Sequence, residues 1–342
     1  MSATIKDVAR LAGVSIKTVS NVLNDYPHLT VETKGKVERA LAELDYRPNL
    51  AARNLRRGRT GMIALALPTF VSPYFAELAD LIAREAAGHD LTVLIEATDG
   101  DLQRERNVAE GFHSRFLDGV ILQPWSVSDR FLRARTDQTP LVLLGEGRVR
   151  TADGVAVDSR AVATAAVDQL LGLGRRRIGV IGSPQQGAAG RQRLEPTRRY
   201  AGYRAALEAA GLAYDETLIS TVDGDHTPER TADAVADLLA RAADVDAIFC
   251  FNDRLGVATI RALTSRGVRV PDDVAVIGID DIEAARTITP TLSTIAPDKA
   301  EIARAAVRML TERIGGATEP ARHVTARFTV ITRESTGADQ ST

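Results

Sequence analysis

From residue 61 onward, continuous apolar runs alternate with segments whose apolar residues recur at helical spacing. The first set of runs comprises GMIALALP, LTVLIEA, DGVILQP and PLVLLGE, and the second comprises RRIGVIGSP, DAIFCFND and VAVIGID. Apolar strands that alternate with helices are typical of parallel sheets covered on both faces. The pattern therefore predicts an α/β body over residues 61–342, built from two Rossmann-like lobes with parallel sheets.

Residues 1–46 have a shorter and purely helical pattern. Thr4 and Asp7 form a capping-box signal for a helix over residues 5–12, which Gly13 can end. Ser15 can cap a second helix, whose inward stripe is predicted to be Val19, Val22 and Leu23. This order predicts an all-α helix-turn-helix domain over residues 1–46.

The second helix presents polar groups on its other face. A mixture of donors and acceptors with one apolar tip suits base edges and phosphates in a DNA major groove. A solvated helix face beside a small core would show the same periodicity. The residues on this face are Lys17, Ser20, Asn21 and Asn24, with Ile16 at the exposed N-terminal end.

A basic segment, DYRPNLAARNLRRGRT, follows a third helix that Thr30 can cap. Pro48 ends the third helix, Asn49 can cap a short fourth one, and Gly58 can end it. So short a helix is marginal alone, and its arginines repel one another until an anion is present. Residues 47–60 are therefore predicted to be a hinge that folds against DNA, with a plain basic linker as the alternative.

Charge divides unevenly along the 342 residues. Residues 1–60 hold 11 Lys and Arg against 6 Asp and Glu, whereas the remainder holds 32 against 39. A basic module joined to an acidic body is expected when only one part meets a polyanion. The charge pattern therefore favours nucleic acid as a partner of the N-terminal part.

A cleft between the lobes is the expected ligand site, because open α/β sheets bind ligands at the carboxyl ends of their strands. Asp280 ends VIGID, Asn252 ends IFCFN, and Arg199 lies in PTRRYAGY. Carboxylate, amide and guanidinium groups suit vicinal hydroxyls, although each carboxylate could instead be a helix cap or a surface ion-pair partner. Asp158 is expected to be such a cap. Further candidates are Arg193 as a second cation, and Tyr74, Trp125 and His226 for stacking on an apolar ring face or closing the cleft.

Several other classes of protein are disfavoured. The five histidines lack metal-ligand spacing, and the sequence has no cysteine cluster, Walker loop or Gly-x-Ser-x-Gly elbow. We therefore expect no enzyme, catalytic residue, metal or cofactor. The sequence also has no signal peptide pattern and no apolar run near the roughly 18 residues of a membrane span, and its single cysteine, Cys250, is expected in a buried strand. These features predict a cytoplasmic protein without a membrane partner.

These motifs resemble the LacI/GalR family of bacterial transcriptional regulators, from about residue 4 to about residue 334. The resemblance rests on TIKDVARLAGVSIKTVSNVLN, LAELDYRPNLAARNL, RVPDDVAVIGIDD and TPTLSTI. It implies that the second helix enters the major groove and that hinge helices lie in the minor groove, where Leu55 wedges into a base step and Ala52 packs close to the groove floor. The implied base readers are Ile16, Lys17 and Asn21, and the implied phosphate contacts are Ser15, Thr18, Ser20 and Asn24. The other expected DNA-binding residues are Thr4, Tyr46, Asn49 and Arg56.

One departure concerns the operator. Many family members carry Arg or His where this sequence has Asn21. Arginine can hold guanine bidentately, whereas asparagine prefers adenine. We therefore expect half-sites that differ from those of the best-known members at the base that Asn21 reads.

For the body, the resemblance implies similarity to periplasmic sugar-binding proteins, with three crossovers between the lobes. In sugar-responsive members the positions of Asp280, Asn252 and Arg199 grip the effector, and the loop that contains Thr69 and Phe70 meets the ligand. The third crossover is expected near TPTLSTIAP, which would return a helix over residues 298–314 to the first lobe.

The implied function is a repressor that binds a palindromic operator as a homodimer and is released by a small molecule, with a sugar favoured. Pairing is expected through FAELADLIAREA, and the tail ESTGADQST has no apolar heptad that would build a tetramer. The alternatives are a purine or nucleoside effector, a corepressor of opposite sign, and, more distantly, a soluble sugar-binding protein without a DNA role.

Overall fold

The computed structural model describes residues 3–23, 26–46, 59–111, 116–147, 149–183, 194–222 and 226–337. The chain divides into two units, Met1–Gly61 and Met62–Thr342. Most of the predicted hinge, including Asn49, Ala52, Leu55 and Arg56, lies outside the described residues, so the domain limits remain predictions. Asn24 and Arg193 also lie outside the described residues.

The described residues of the N-terminal unit form three helices: α1 (Ile5–Ala12), α2 (Ile16–Leu23) and α3 (Val31–Glu43). The Thr4 N–H donates to Asp7 Oδ2 at 3.0 Å, which forms the predicted cap, and Gly13 ends α1 with φ +66°. Ser15 Oγ accepts from the Thr18 N–H at 3.0 Å at the start of α2. The helices share a small buried core of Val8, Ala9, Val19, Val22, Val37 and Ala40.

The first lobe of the larger unit contains a six-stranded parallel sheet. In spatial order its strands are β11 (His323–Ala326), β5 (Asp153–Val157), β4 (Leu141–Leu144), β3 (Gly119–Leu122), β1 (Met62–Leu67) and β2 (Thr92–Ala97). The helices of this lobe are α4 (Pro73–Ala87), α5 (Leu102–Ala109), α6 (Asp129–Arg133) and α12 (Lys299–Ile314).

The second lobe contains a six-stranded sheet in which only the edge strand β12 (Phe328–Ile331) is antiparallel. The remaining strands, in order from β12, are β10 (Ser293–Pro297), β9 (Ala275–Ile279), β8 (Ala247–Cys250), β6 (Ile178–Ser183) and β7 (Ile219–Thr221). Its helices are α7 (Ser159–Gly172), α8 (Leu194–Ala209), α9 (Pro228–Arg241), α10 (Asp253–Thr264) and α11 (Glu283–Thr287). The predicted fold class is confirmed, with β12 as the exception to parallel pairing.

The chain crosses between the lobes three times: after β5, after β10, and between β11 and β12. The expectation that TPTLSTIAP marks the third crossover is wrong, because this segment precedes the second. The third lies at Arg327, between two four-residue strands. The Asp298 N–H donates to the Arg327 carbonyl at 2.9 Å, and the Arg327 N–H donates to Glu301 Oε2 at 3.0 Å, so these two crossovers lie side by side. The helix that follows TPTLSTIAP, α12, does pack on the first lobe as predicted.

No helix in the described ranges is long and apolar enough to cross a membrane. Within the same ranges, no cluster of three or more His, Cys, Asp or Glu side chains could hold a metal ion.

Candidate ligand cleft and nucleic-acid interface

A cavity of about 320 Å³ lies between the two lobes at the carboxyl ends of their strands. The structure brings most of the predicted ligand-binding residues together here: Thr69, Tyr74, Trp125, Arg199, His226, Asn252 and Asp280. Phe70 is not among the lining residues, and 48% of it is exposed to solvent. Its loop places Thr69 rather than Phe70 at the cavity, and a contact between Phe70 and a ligand stays a prediction.

Asp280 stands directly after β9 and is only 7% exposed. Its backbone has a φ of 120°, in the region that favours glycine, and its N–H donates to the Ile295 carbonyl at 2.9 Å. Burial raises the pKa of the carboxyl group to about 7, although the nearby charges of Arg199 and Lys299 act in the opposite direction. No described residue donates a hydrogen bond to this carboxylate. Asp280 is thus a buried acceptor that faces the cavity.

Asn252 combines a structural role with a place in the cleft. Its Oδ1 accepts from the Leu255 N–H at 2.9 Å and caps α10. Its Nδ2 lies 3.2 Å from His226 Nδ1. Because the cap fixes the orientation of the amide, Asn252 presents its NH₂ group toward His226 and the cavity.

Arg199 reaches the same wall from α8. Its Nη1 donates to the Phe251 carbonyl, and its Nε is buried without a hydrogen-bond partner among the described residues. Donors from Arg199 and Asn252 therefore lie on the same wall of the cleft as the Asp280 carboxylate. This mixture can hold adjacent hydroxyl groups, which both donate and accept.

Trp125 is positioned by a buried carboxylate on α5. Glu105 is fully buried and accepts three backbone hydrogen bonds, from the N–H groups of Trp125 and Ser126 at 2.8 Å and of Val127 at 2.7 Å. The indole ring packs edge-on against Phe75, with ring centroids 6.0 Å apart. Glu105 thus holds the loop that forms the aromatic wall of the cleft.

We expect Glu105→Ala to lower the free energy of unfolding by about 3 kcal/mol, because three buried N–H groups would lose a charged acceptor. Urea denaturation followed by tryptophan fluorescence measures the change. Glu110→Ala is the matched control, since Glu110 is exposed near the end of the same helix. Equal stability of the two variants would contradict the role given to Glu105.

Sequence reasoning missed seven polar residues that line the cavity: Ser72, Asp99, Gln123, Glu146, Ser159, Glu195 and Arg254. Gln123 lies directly after β3, and its Nε2 donates across the cleft to Glu195 Oε1 at 3.3 Å. Glu146 follows β4 and is 6% exposed. The strand-end rule that identified Asn252 and Asp280 in the second lobe also applies to ILQP and LLGE in the first, and it would have found Gln123 and Glu146.

Asp158 is not a lining residue of this cavity. Its Oδ1 accepts from the N–H groups of Arg160 at 3.1 Å and Ala161 at 3.0 Å, at the start of α7. The prediction that Asp158 caps the following helix is confirmed.

In the N-terminal unit, α2 is amphipathic in the predicted sense. Val19 and Val22 are buried, whereas Ile16 is 42% exposed and Lys17 is exposed. Ser15 and Thr4 are exposed as well, Tyr46 packs against the helical core, and Ser15 Oγ and Thr18 Oγ1 are hydrogen-bonded at 2.8 Å. Thr18, Ser20 and Asn21 are half-buried. Ile16 and Lys17 are thus exposed on the side of α2 that is predicted to meet DNA, and contacts with DNA remain a prediction.

Two family models match the chain. The model described as bacterial regulatory proteins, lacI family, covers residues 4–49, and that of the periplasmic binding protein-like domain covers residues 167–336. The HTH-type transcriptional regulator CelR of Thermobifida fusca is 34% identical over 343 residues, which are 97% of this chain and 98% of CelR. The chain belongs to the LacI family.

Other LacI-family proteins match over nearly the whole chain. The HTH-type transcriptional repressor PurR of Photobacterium profundum is 30% identical over 315 residues, which are 91% of this chain and 92% of PurR. A solved complex of CelR with cellobiose is 30% identical and matches with a TM-score of 0.71, covering 97% of this chain and 99% of that one. The resemblance inferred from the motifs is thus confirmed.

As a LacI-family member, the protein is a DNA-binding transcriptional regulator. The relatives named above are transcriptional regulators. The match of residues 4–49 to the lacI model also favours a regulator over a sugar-binding protein without a DNA role.

Proposed function

We propose that the protein is a repressor that binds a palindromic operator as a homodimer and is released when a sugar binds in the cleft between the lobes. The observation that carries the proposal is the convergence of Asp280, Asn252 and Arg199 on one wall of that cleft. Each presents a polar group suited to a hydroxylated ring. The solved CelR–cellobiose complex shows that a whole-length relative binds a sugar.

Hydrogen bonds that cross the cleft provide the route from ligand to lobe orientation. Besides the Gln123–Glu195 pair, Glu77 on α4 accepts from the Glu283 N–H at 3.0 Å, and Lys299 Nζ donates to the Asp281 carbonyl at 3.1 Å. A ligand that changes these contacts changes how the lobes are held, and thereby the spacing of the two hinge segments in a dimer. Because the two binding equilibria are linked, the operator weakens effector binding by the same free energy by which the effector weakens operator binding, typically about 1–3 kcal/mol.

The dimer is proposed to form through α4 of the first lobe and the strand beside it. β2 is the edge strand of its sheet, and its Leu94 and Ile95 are 47% and 45% exposed. Exposed apolar side chains on an edge strand are suited to an interface. The mass in solution tests this, since a monomer or a stable tetramer would contradict the dimer.

The test of the proposed function combines two steps on the full chain. Selection from random DNA should return a two-fold symmetric site, because a symmetric dimer presents two equivalent headpieces. A thermal-shift screen of sugars, sugar phosphates, nucleosides and purine bases should then find a ligand that stabilises the protein and releases that DNA. A nucleoside or purine hit would replace the sugar, and a ligand that tightens DNA binding would be a corepressor.

Asn21→Ala is expected to change the selected half-site at one base pair and to weaken binding of the wild-type operator about 10- to 100-fold, because a bidentate base contact is worth about 1–3 kcal/mol. Fluorescence anisotropy at fixed salt measures the affinity. Glu38→Ala is the control, since Glu38 is exposed on α3. Recovery of the same site before and after the Asn21 substitution would remove this residue from the base readers.

A further inference from the structure

Glu146 is a buried carboxylate of the cleft with one oxygen that has no partner. Its Oε1 accepts from the Ser159 N–H at 3.0 Å and from Arg198 Nη1 at 3.2 Å. Its Oε2 is buried and accepts no hydrogen bond from any described residue. A buried acceptor without a partner costs free energy, so Oε2 gains a hydrogen bond if a donor of a bound molecule reaches it from the cavity that Glu146 lines.

The surroundings of this oxygen are acidic. Burial is the main cause that raises the pKa of Glu146, and the charge of Glu195 raises it further, while Ser159 and Arg198 act in the opposite direction. Gly145 allows the hydrogen-bonded pair of Gln123 and Glu195 to pack against the backbone here, since a Cβ would lie 2.6 Å from Glu195 Oε1 and 2.7 Å from Gln123 Nε2. Among the described residues that line the cleft, the charged side chains are the carboxylates Asp99, Glu146, Glu195 and Asp280 and the arginines Arg199 and Arg254.

We propose that Glu146 is a specificity-determining residue, which accepts a hydrogen bond from a hydroxyl group of an uncharged, polyhydroxylated effector and excludes phosphorylated or carboxylated sugars. The proposal rests on the proposed function, because it takes the cleft to be the effector site. A phosphate or carboxylate beside Glu146 and Glu195 would meet two carboxylates and would have no donor to offer. A neutral hydroxyl donates to Oε2 and adds no charge.

The anchoring of Glu146 also links this contact to the connection between the lobes. Glu146 belongs to the first lobe, whereas Ser159 is the first residue of α7, immediately after the first crossover, and Arg198 lies on α8 of the second lobe. The same carboxylate therefore binds the ligand in this proposal and contacts the second lobe. An effector that engages Oε2 acts on both lobes at once.

The test is calorimetric titration of the full-length wild type, Glu146→Gln and Glu208→Gln. The probes are neutral sugars, including glucose and cellobiose, and anionic counterparts with the same rings, including glucose 6-phosphate, glucuronate and cellobiose 6′-phosphate. Glutamine keeps the shape of Glu146 but loses its charge. We therefore expect Glu146→Gln to weaken binding of the best neutral sugar about 10- to 100-fold. We also expect a smaller difference in affinity between that sugar and its anionic counterpart. Glu208 is exposed on α8, so its variant should bind as the wild type does.

Three outcomes would overturn the proposal. An anionic sugar that binds as tightly as its neutral counterpart contradicts the exclusion, and unchanged binding to Glu146→Gln contradicts the contact. If no neutral sugar binds, the neutral-sugar assignment is wrong. Operator binding, measured on the same preparations, separates these failures from a failure of the proposed function, which would lose DNA binding or its release by every ligand.

Discussion

Asp280→Gly is expected to abolish effector binding while leaving the free protein as stable as the wild type or more so. The carboxylate lies in the cleft without a hydrogen-bond donor among the described residues, and hydrogen bonds to a charged group are worth about 1.5–3 kcal/mol each. Loss of two such bonds weakens binding of the ligand by at least about 100-fold. The substitution also relieves backbone strain and so favours the folded state, because a non-glycine residue held at a φ of 120° costs about 1–3 kcal/mol.

Two further variants separate binding from stability. Asp280→Ala also loses the carboxylate but keeps a side chain at the strained φ, so it should be less stable than Asp280→Gly and equally unable to bind. The neighbouring Asp281 pairs with Arg286 and Arg333 and does not line the cleft. Asp281→Ala should therefore lose stability and keep the ligand-induced thermal shift. If the ligand raises the melting temperature of Asp280→Gly as much as that of the wild type, Asp280 does not contact the ligand.

The contrast between Asp280 and Asp281 also shows what the sequence could predict. The end of an apolar strand identifies the place where polar side chains meet a ligand, and this rule located Asp280 and Asn252 correctly at the cleft. It cannot tell which of two adjacent aspartates faces the cavity, because that depends on backbone torsions. It also cannot reveal that Asn252 caps α10 through one atom of its amide and faces His226 through the other.

Sequence analysis missed β5, β7, β10, β11 and β12, and the last two pair with strands that are distant in the chain. β11 pairs with β5, so that His323 lies opposite Gly154, and the two are held by the buried Asp153, which accepts from Arg313 Nε at 2.9 Å and from the Arg322 N–H at 2.7 Å. β11 and β12 are four residues long and partly exposed, so they lack a continuous apolar run. Without them the third crossover could not be placed.

Glu105 illustrates a different limit. In the sequence it is one of several charged residues in a polar helix, and nothing in the local pattern marks it as buried. Its burial results from three N–H groups of a loop about twenty residues further on, which need an acceptor. Buried carboxylates that organise a loop become visible only once the tertiary contacts are known.

Asp253→Ala is expected to destabilise the protein by about 3 kcal/mol, because Asp253 supports the segment that carries Asp280. The side chain is fully buried. Its Oδ1 accepts from Thr294 Oγ1 at 2.7 Å and its Oδ2 accepts from the Ile282 N–H at 3.1 Å. Alanine would leave both donors unpaired and would open a cavity between α10 and the two strands β9 and β10.

Asp253 also predicts how stability depends on pH. Burial raises its pKa from an ordinary value of 3.8 to about 8, and the charges of Asp280 and Asp281 act in the same direction, whereas the bonds from Thr294 and Ile282 oppose the shift. The native state therefore binds the proton more tightly than the unfolded state. Unfolding releases that proton between these two pH values, so the free energy of unfolding falls as pH rises through the interval.

Asp253→Asn should remove this contribution without breaking the local structure. The amide oxygen can accept from the Ile282 N–H, and the NH₂ group can donate to Thr294 Oγ1, which is able to accept. Urea denaturation between about pH 5 and about pH 8, followed through the single tryptophan, should show a smaller pH slope for Asp253→Asn than for the wild type.

The exposed Asp168→Asn on α7 is the control and should keep the wild-type slope. Asp280 has a raised pKa of about 7 and therefore also makes stability fall as pH rises. The comparison is for this reason repeated in the Asp280→Gly background. Any part of the pH slope that Asp253→Asn removes in that background belongs to Asp253. An unchanged slope in both backgrounds would mean that Asp253 is ionised in the native protein and that the hydrogen bonds from Thr294 and Ile282 stabilise its charge.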